Sequence, residues 1–253
     1  MTEYAVPGAR LLALAAVSLS IGCGSYTSGT GELGRMTYRL QSDFESEADD
    51  FGEAVLVTGH PQYIITDLTA DGIKKAGGEE GLIAHEIDSS DVTIKWEPGE
   101  ATDDVPNVTL TASEPGTYTL TSTLDGDDFD YIDITFGRPT AMEILTWLLR
   151  PGAEEWELQE GKGPHAVEVG TQVTFLPVPL RKQKRLVGDV DVDLSVDTDG
   201  MVAQGENVLA VYEQRVIASS QPVTLFFIEA GDVQIELTDT PNDVRAKIDF
   251  SVE

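Results

Sequence analysis

The residues with the clearest potential for chemistry are carboxylates that crowd into single loops. Four of them, Asp125, Asp127, Asp128 and Asp130, lie within the acidic segment DGDDFD. Calcium takes roughly six to eight oxygen ligands, mostly carboxylates, so the segment predicts a candidate calcium site, although it lacks the spacing and bidentate glutamate of an EF-hand. Alternatively, these aspartates serve turn formation and solubility alone.

A second acidic region contains Asp189, Asp191, Asp193, Asp197 and Asp199. Its segment VDVDLSV alternates apolar and polar residues, which is typical of a half-buried strand. We therefore interpret Asp191 and Asp193 as the solvated face of that strand and not as metal ligands.

The three histidines complete no catalytic or zinc motif. His85-Glu86 begins like HExxH, but Ser89 occupies the position of the second histidine. The chain also lacks the nucleophile elbow GxSxG and the phosphate-binding loop GxxxxGK. His60 and His165 each adjoin a proline, which predicts surface imidazoles in turns. We expect a protein without catalytic activity.

The only cysteine, Cys23, follows an uncharged apolar stretch, residues 11–21. That stretch is too short to cross a bilayer as a helix, which takes about 20 residues. With Arg10 as a positive flank, residues 1–22 have the layout of a signal peptide. The segment LSIGC resembles the lipobox of bacterial lipoproteins. The resemblance implies lipidation of Cys23, a membrane anchor and, because glycine follows, delivery to the outer membrane or cell surface. Cleavage elsewhere, leaving or removing a free thiol, is the alternative.

The segment behind the cysteine, GSYTSGTGELG, is rich in Gly, Ser and Thr. Residues 23–34 are therefore predicted to be the lipidated cysteine and a flexible tether. Residues 29–34 also fit GxGxxG. That pattern binds dinucleotides only between a strand and a helix, and we reject it in this position.

The charge balance excludes one class of partner. The chain has 16 basic and 45 acidic residues, a net charge of −29. Nucleic-acid binding needs clustered lysine and arginine on one surface, so no nucleic-acid partner is expected. The only basic cluster, residues 181–185, is interpreted as a solvated loop between strands.

An internal repeat indicates two related units. Residues 107–120 align with residues 222–235 at an offset of 115, with five identities in fourteen positions. After an acidic turn, residues 132–136 align with residues 248–252 at an offset of 116. Each unit therefore predicts a strand, a tight turn, a strand, an acidic hairpin and a last strand.

Short alternating strands with a turn signal about every 10 residues are the pattern of a β-sandwich. The units resemble bacterial immunoglobulin-like domains in the segment VEVGTQVT that begins at Val167, in the turn DGMV that begins at Asp199, and in the closing strands around Tyr118 and Val233. The resemblance implies an all-β chain of two tandem immunoglobulin-like antiparallel β-sandwiches, over residues 35–137 and 138–253. It also implies that Trp96 is a core tryptophan.

Residues 70–84 contain four glycines and are predicted to be a loop with at most one helical turn. We expect a non-catalytic, lipid-anchored protein of the bacterial cell envelope that acts in binding or structural spacing, with an unknown protein or glycan partner at the surface. Carbohydrate binding or calcium-dependent adhesion is the alternative. Trp147 and Trp156 could bind a sugar, but we favour packing at the domain junction.

Overall fold

A computed structural model describes residues 25–42, 53–76, 82–96, 105–159, 161–198, 202–204, 216–218 and 223–253. Within these ranges no helix has the length and apolar content needed to cross a bilayer. Residues 1–24, which include Cys23, lie outside the described residues, and so does Asp199.

The first half of the chain forms two sheets packed face to face. Its strands are β1 (Ser25–Thr30), β2 (Met36–Ser42), β3 (Val55–Val57), β4 (Gln62–Leu68), β5 (Ile83–Ile87), β6 (Val92–Lys95), β7 (Val108–Ala112), β8 (Gly116–Leu124) and β9 (Asp127–Gly137), with helix α1 (Ala70–Ala76) after β4. One sheet has the order β1-β2-β4-β7-β6 and the other β3-β9-β8-β5. All neighbours are antiparallel except β3, which runs parallel to β9.

The second half repeats this plan. Its strands are β10 (Ala141–Leu149), β11 (Glu157–Gln159), β12 (His165–Val167), β13 (Gln172–Arg181), β14 (Lys184–Arg185), β15 (Val192–Thr198), β16 (Val202–Gln204), β17 (Val216–Ala218), β18 (Val223–Phe227), β19 (Gly231–Asp239) and β20 (Val244–Val252). The sheets have the orders β11-β10-β13-β18-β16 and β12-β20-β19-β15-β17, and β12 runs parallel to β20.

Strand order identifies both sandwiches as immunoglobulin-like. That fold pairs its strands A, B, E and D in one sheet and C, F and G in the other. In the first sandwich β2-β4-β7-β6 and β5-β8-β9 reproduce these orders, and in the second β10-β13-β18-β16 and β15-β19-β20 do so. The predicted fold class is therefore confirmed.

The repeat seen in the sequence coincides with equivalent strands. Strands β7 and β18 begin 115 residues apart, at Val108 and Val223, and β8 and β19 begin at Gly116 and Gly231. Gly116 pairs with Phe136 on β9, and Gly231 pairs with Val252 on β20. The turn between the last two strands is two residues longer in the second unit, and the bulge in β9 of the first unit offsets one of them, which leaves the single extra residue of the second offset. Loops accept such insertions without disturbing the core.

Two sequence predictions need correction near the first sheet. Residues 25–30 are not a tether but strand β1, which pairs with β2 along its whole length. Main-chain hydrogen bonds to β2 hold this edge strand in place. Because its residues are mostly Gly, Ser and Thr, the sequence shows no apolar alternation that would have predicted a strand. Residues 70–76 form helix α1 of about two turns, not one. Gly72 is required there because a Cβ would lie 2.0 Å from the Arg35 carbonyl oxygen.

None of the three tryptophans is a fully buried core residue. Trp96 follows β6 and is half-buried against the rim of the first core, where its ring meets His85 edge-on at 6.1 Å. Immunoglobulin domains carry a buried tryptophan on strand C, but the two buried positions of the equivalent strand β5 hold Ile83 and His85. Trp147 and Trp156 are half-buried on β10 and ahead of β11, outside both core clusters.

Candidate functional site

The four aspartates of the predicted calcium segment are not brought together. Asp125, Asp127 and Asp128 are exposed at the turn between β8 and β9, whereas Asp130 is buried, with 1 % of its surface exposed. Among the described residues no group of three or more His, Cys, Asp or Glu side chains is arranged to hold a metal ion. This geometry does not support calcium binding by the segment.

Asp130 instead organises the turn between β1 and β2. Its Oδ1 accepts a hydrogen bond from the Leu33 backbone N–H (2.8 Å), and its Oδ2 accepts from Arg35 and Met36 (both 2.7 Å). The carboxyl lies so close to Gly31 that a Cβ there would be 2.5 Å from it. The glycine-rich GxGxxG segment thus wraps around an aspartate of this same chain and not around a phosphate.

The second acidic region also has its own partners. Asp193, on β15, accepts a hydrogen bond from the Thr240 hydroxyl (2.7 Å), and the Asp191 backbone N–H donates to His60 Nδ1 (3.2 Å). Asp191 is exposed and Asp193 half-buried, in line with the predicted solvated face. Asp189 contacts the other sandwich through its backbone, as described below.

A Ser–His pair lies inside the first sandwich. His85 Nε2 lies 3.0 Å from the Pro106 carbonyl oxygen, which can only accept, so Nε2 carries the hydrogen and Nδ1 accepts from the Ser122 hydroxyl at 3.0 Å. Tyr38 lies 2.8 Å from Ser122 and completes the chain. All three side chains are buried, with 2 % or less of their surface exposed. A substrate cannot reach this serine, and the network joins the two sheets.

Burial also shifts the pKa values of the His85 and Tyr38 side chains. Desolvation lowers the pKa of His85 from its ordinary 6.5 to about 4, partly offset by the hydrogen bond to Pro106. Desolvation likewise raises the pKa of Tyr38 above its ordinary value. Both side chains are therefore neutral at pH 7, as a buried network requires.

We expect the free energy of unfolding to fall as the pH drops from 6.5 to 4, by about 3 kcal/mol through His85. Over that range the unfolded chain binds a proton at His85 and the folded chain does not. Urea unfolding across this range should show a smaller loss for His85→Gln than for the wild type. His165→Gln, on the half-buried imidazole of β12, is the control and should follow the wild type. Identical pH profiles for His85→Gln and the wild type would contradict the prediction.

The junction between the sandwiches is the most elaborate polar site in the described part of the chain. A main-chain bridge begins it: the Val57 N–H donates to the Val187 carbonyl (3.0 Å), and the Val187 N–H donates to the Val55 carbonyl (2.9 Å). Val57 packs in the second core and Val187 in the first. The junction is therefore apolar as well as polar, and burial of each valine side chain stabilises the folded chain by about 1.5–3 kcal/mol.

Gln62 adds a reciprocal pair. Its Nε2 donates to the Asp189 carbonyl (3.0 Å), and its Oε1 accepts from the Asp189 N–H (3.1 Å). The side chain therefore pairs with the opposite main chain as a neighbouring strand would. Gly188 permits this approach, because a Cβ there would lie 1.8 Å from Gln62 Oε1, and its φ of +105° favours glycine.

His60 is the centre of the junction and is buried, contrary to the predicted surface position. Its Nδ1 accepts from the Asp191 N–H, so Nε2 carries the hydrogen and donates to Asp239 Oδ1 at 3.0 Å. Asp239 belongs to β19 and has no exposed surface. A neutral imidazole thus satisfies both contacts across the junction.

Asn242 closes the far side. Its Nδ2 donates to the Thr58 carbonyl (2.9 Å) and to Asp239 Oδ2 (2.9 Å), and its Oδ1 accepts from the Thr58 hydroxyl (3.0 Å). The Asn242 N–H donates to Asp239 Oδ1 (3.2 Å). These polar groups are therefore hydrogen-bonded to one another across the junction.

Sequence reasoning missed this junction because its partners are far apart in the chain. His60 and Asp239 are separated by 179 residues, and Gln62 and Asp189 by 127. The signals that exist are indirect: an isolated glycine at Gly188, and an Asp-x-x-Asn spacing at Asp239 and Asn242, which suits a turn.

Comparison with known proteins gives structural likenesses only. No family model and no curated protein matches the chain. Solved structures that resemble it include the adhesin InvE of Yersinia pseudotuberculosis (11% identity, 78% of this chain and 56% of that chain, TM-score 0.28) and domains 5–6 of the S-layer protein SbsC (15%, 82% and 96%, 0.31). A β-glycosidase from Bacteroides vulgatus also resembles it (12%, 77% and 23%, 0.29). The fold assignment rests on the strand order of the protein itself.

Proposed function

We propose that this protein is a non-catalytic, lipid-anchored component of the bacterial cell envelope that holds two immunoglobulin-like sandwiches in a fixed orientation, as a spacer that presents a binding surface. The single observation that carries the proposal is the junction. A flexible tandem needs only the three-residue connection between β9 and β10, whereas this chain adds an exchange of core valines and a buried hydrogen-bonded set.

The membrane part of the proposal rests on the sequence around Cys23. The acidic surface also suits it, because a high net charge keeps an exported protein soluble and apart from its copies. The partner is a protein or glycan at the surface, and the all-β architecture offers loops and sheet edges to meet it.

Distance measurement between spin labels tests the fixed orientation. In a Cys23→Ala background, new cysteines at the exposed positions Asp88 and Glu168 place one label on each sandwich. We expect a single narrow distance distribution, and a broadened one in Gln62→Ala, which removes the reciprocal pair. Gln234→Ala, a control on β19 whose side chain bonds within its own sandwich, should leave the width unchanged. A distribution equally broad in all three proteins would refute the spacer.

The lipid anchor has a separate test. We expect the intact mass of protein extracted from native membranes to correspond to a chain that starts at diacylated Cys23, and Cys23→Ala to move into the soluble fraction. Ser25→Ala, close to the cysteine, should stay with the membrane. An unmodified amino terminus elsewhere would make this a freely secreted protein and leave the spacer arrangement untouched.

A further inference from the structure

The first sandwich has a shallow depression on its surface, beside the edge strand β6. Its volume of about 620 Å³ is within the range of ligand pockets, roughly 300–1,000 Å³. The described residues that line it come from β4, β6 and β7 or directly adjoin them: Tyr63, Ile94, Lys95, Trp96, Asn107 and Thr109. None of them takes part in the junction between the sandwiches.

The strand register places three of these side chains in one row. Thr109 on β7 pairs with Tyr63 on β4 and with Lys95 on β6. Directly paired residues of antiparallel strands point to the same face of the sheet, with Cβ atoms about 4.5–5.5 Å apart. The neighbouring residues Ile64 and Val108 are fully buried in the core, so the row faces away from it. The tyrosine, the threonine and the lysine therefore lie side by side on the outer face.

The depression also offers an aromatic surface. Tyr63 has 41 % of its surface exposed. At the edge of the sheet Trp96 and Ile94 are half-buried and pack against the first core, which holds them in place. Tyrosine and tryptophan give a ligand a large, rigid contact area that combines an apolar ring with a polar group.

Polar groups around this surface are available to a ligand. Asn107 Oδ1 accepts a hydrogen bond from the Thr66 backbone N–H (3.3 Å), which fixes the amide and leaves its Nδ2 to donate elsewhere. Within the described part of the chain, Asn107 Nδ2 has no hydrogen-bond acceptor. The side chains of Tyr63, Lys95 and Thr109 likewise have no hydrogen bond or ion pair there. Three kinds of donor, an amide, hydroxyls and an ammonium, thus surround one exposed ring.

We propose that this depression binds an uncharged glycan with an extended chain of equatorially linked pyranose rings. Each ring of such a chain has a flat face of C–H groups, which would stack on Tyr63. The hydroxyls at its rim would accept from Asn107 Nδ2 and Lys95 Nζ and exchange a hydrogen bond with the Thr109 hydroxyl. This inference rests on the proposed binding role, for which it names the ligand class and the place.

Two other classes of ligand fit the depression less well. A peptide that adds as a strand needs a free edge, but β4 and β7, which carry Tyr63 and Thr109, are already paired on both sides. A polyanion needs clustered cations, whereas Lys95 is the one charged group among the described residues that line the depression, in a chain of net charge −29.

The test measures the binding of fluorescently labelled cellohexaose and chitohexaose to the full chain. We expect saturable binding of at least one of them, and at least about fivefold weaker affinity for Tyr63→Ala, which removes the aromatic surface. Tyr131→Ala is the matched control, because this tyrosine is equally exposed (40 %) but lies on β9 in the other sheet, and it should bind as the wild type does. Chemical-shift changes on titration should be confined to β4, β6, β7 and their ends.

A second variant tests the polar contacts without disturbing the fold. Asn107→Asp keeps an acceptor for the Thr66 N–H but removes the Nδ2 donors, so we expect about threefold weaker binding or more, and an unchanged melting temperature. The corresponding hexamer of glucuronic acid should bind more weakly than cellohexaose. Tighter binding of this acidic hexamer would overturn the uncharged ligand and leave a charge contact of Lys95.

Two results would overturn the site itself: no binding of either neutral hexasaccharide up to about 10 mM, or unchanged binding by Tyr63→Ala. The spin-label distances test the spacer independently. A narrow distance distribution without glycan binding would refute this site alone, and a broad distribution with glycan binding would refute the fixed orientation alone.

Discussion

Replacement of Asp130 by alanine is expected to lower the free energy of unfolding by about 3 kcal/mol or more. The carboxylate accepts backbone hydrogen bonds from Leu33, Arg35 and Met36, and a hydrogen bond to a charged group contributes roughly 1.5–3 kcal/mol. Alanine would remove the acceptor of all three donors, and the buried Met36 N–H would be left without a partner. Since a domain has only about 5–15 kcal/mol of stability in total, strand β1 should separate from β2 well before the sandwich unfolds.

Urea unfolding and hydrogen exchange of residues 25–36 measure the effect. Asp128→Ala is the matched control, because this aspartate lies two residues away on β9 but is exposed, and its loss should cost less than about 0.5 kcal/mol. The same pair of variants tests the calcium hypothesis. If the acidic hairpin bound calcium, added calcium would raise the melting temperature of the wild type, and both variants would lose that increase. A wild-type melting temperature that does not move on adding calcium is the outcome we expect.

The fold was predictable from local pattern, because alternation is a property of each strand by itself. The closing strands, with Ile132, Ile134 and Phe136 in one unit and Ile248, Phe250 and Val252 in the other, show their buried faces directly in the sequence. Strand β1 was missed because its contribution is main-chain pairing, which composition does not record. Helix α1 was underestimated because Gly72 counts as a helix breaker in isolation, whereas here it allows close packing on Arg35.

The functional residues could not be predicted in the same way. Whether an aspartate binds a metal ion, faces water or caps a turn depends on what lies opposite, and for Asp130 that is a backbone about 95 residues earlier in the chain. His60 was predicted to be exposed because a proline follows it. Its burial is decided by Asp191 and Asp239, which belong to the other sandwich. Contacts between residues so far apart in the chain produce no local periodicity, so the sequence pattern could not predict them.

Replacement of Asp239 by alanine is expected to uncouple the two sandwiches, at a cost of about 3 kcal/mol. This carboxylate has no exposed surface and accepts hydrogen bonds from His60 Nε2, the Asn242 backbone and Asn242 Nδ2. A hydrogen bond to a charged group contributes roughly 1.5–3 kcal/mol, and a buried donor that loses its acceptor costs about 1–3 kcal/mol. The loss of Asp239 leaves the His60 N–H buried and unsatisfied but leaves no unpaired charge.

The effect should be seen in how the chain unfolds as well as in how stable it is. With the junction intact, the two sandwiches should unfold in one calorimetric transition, and Asp239→Ala should split it into two, because apart from the exchanged valines each core is built from residues of its own half of the chain. Asp243→Asn is the control: Asp243 is exposed in the same turn, its φ is +53°, and asparagine tolerates that conformation as well as aspartate does. A single transition in Asp239→Ala, shifted no further than in the control, would mean that the main-chain bridge and the exchanged valines hold the sandwiches together without this buried pair.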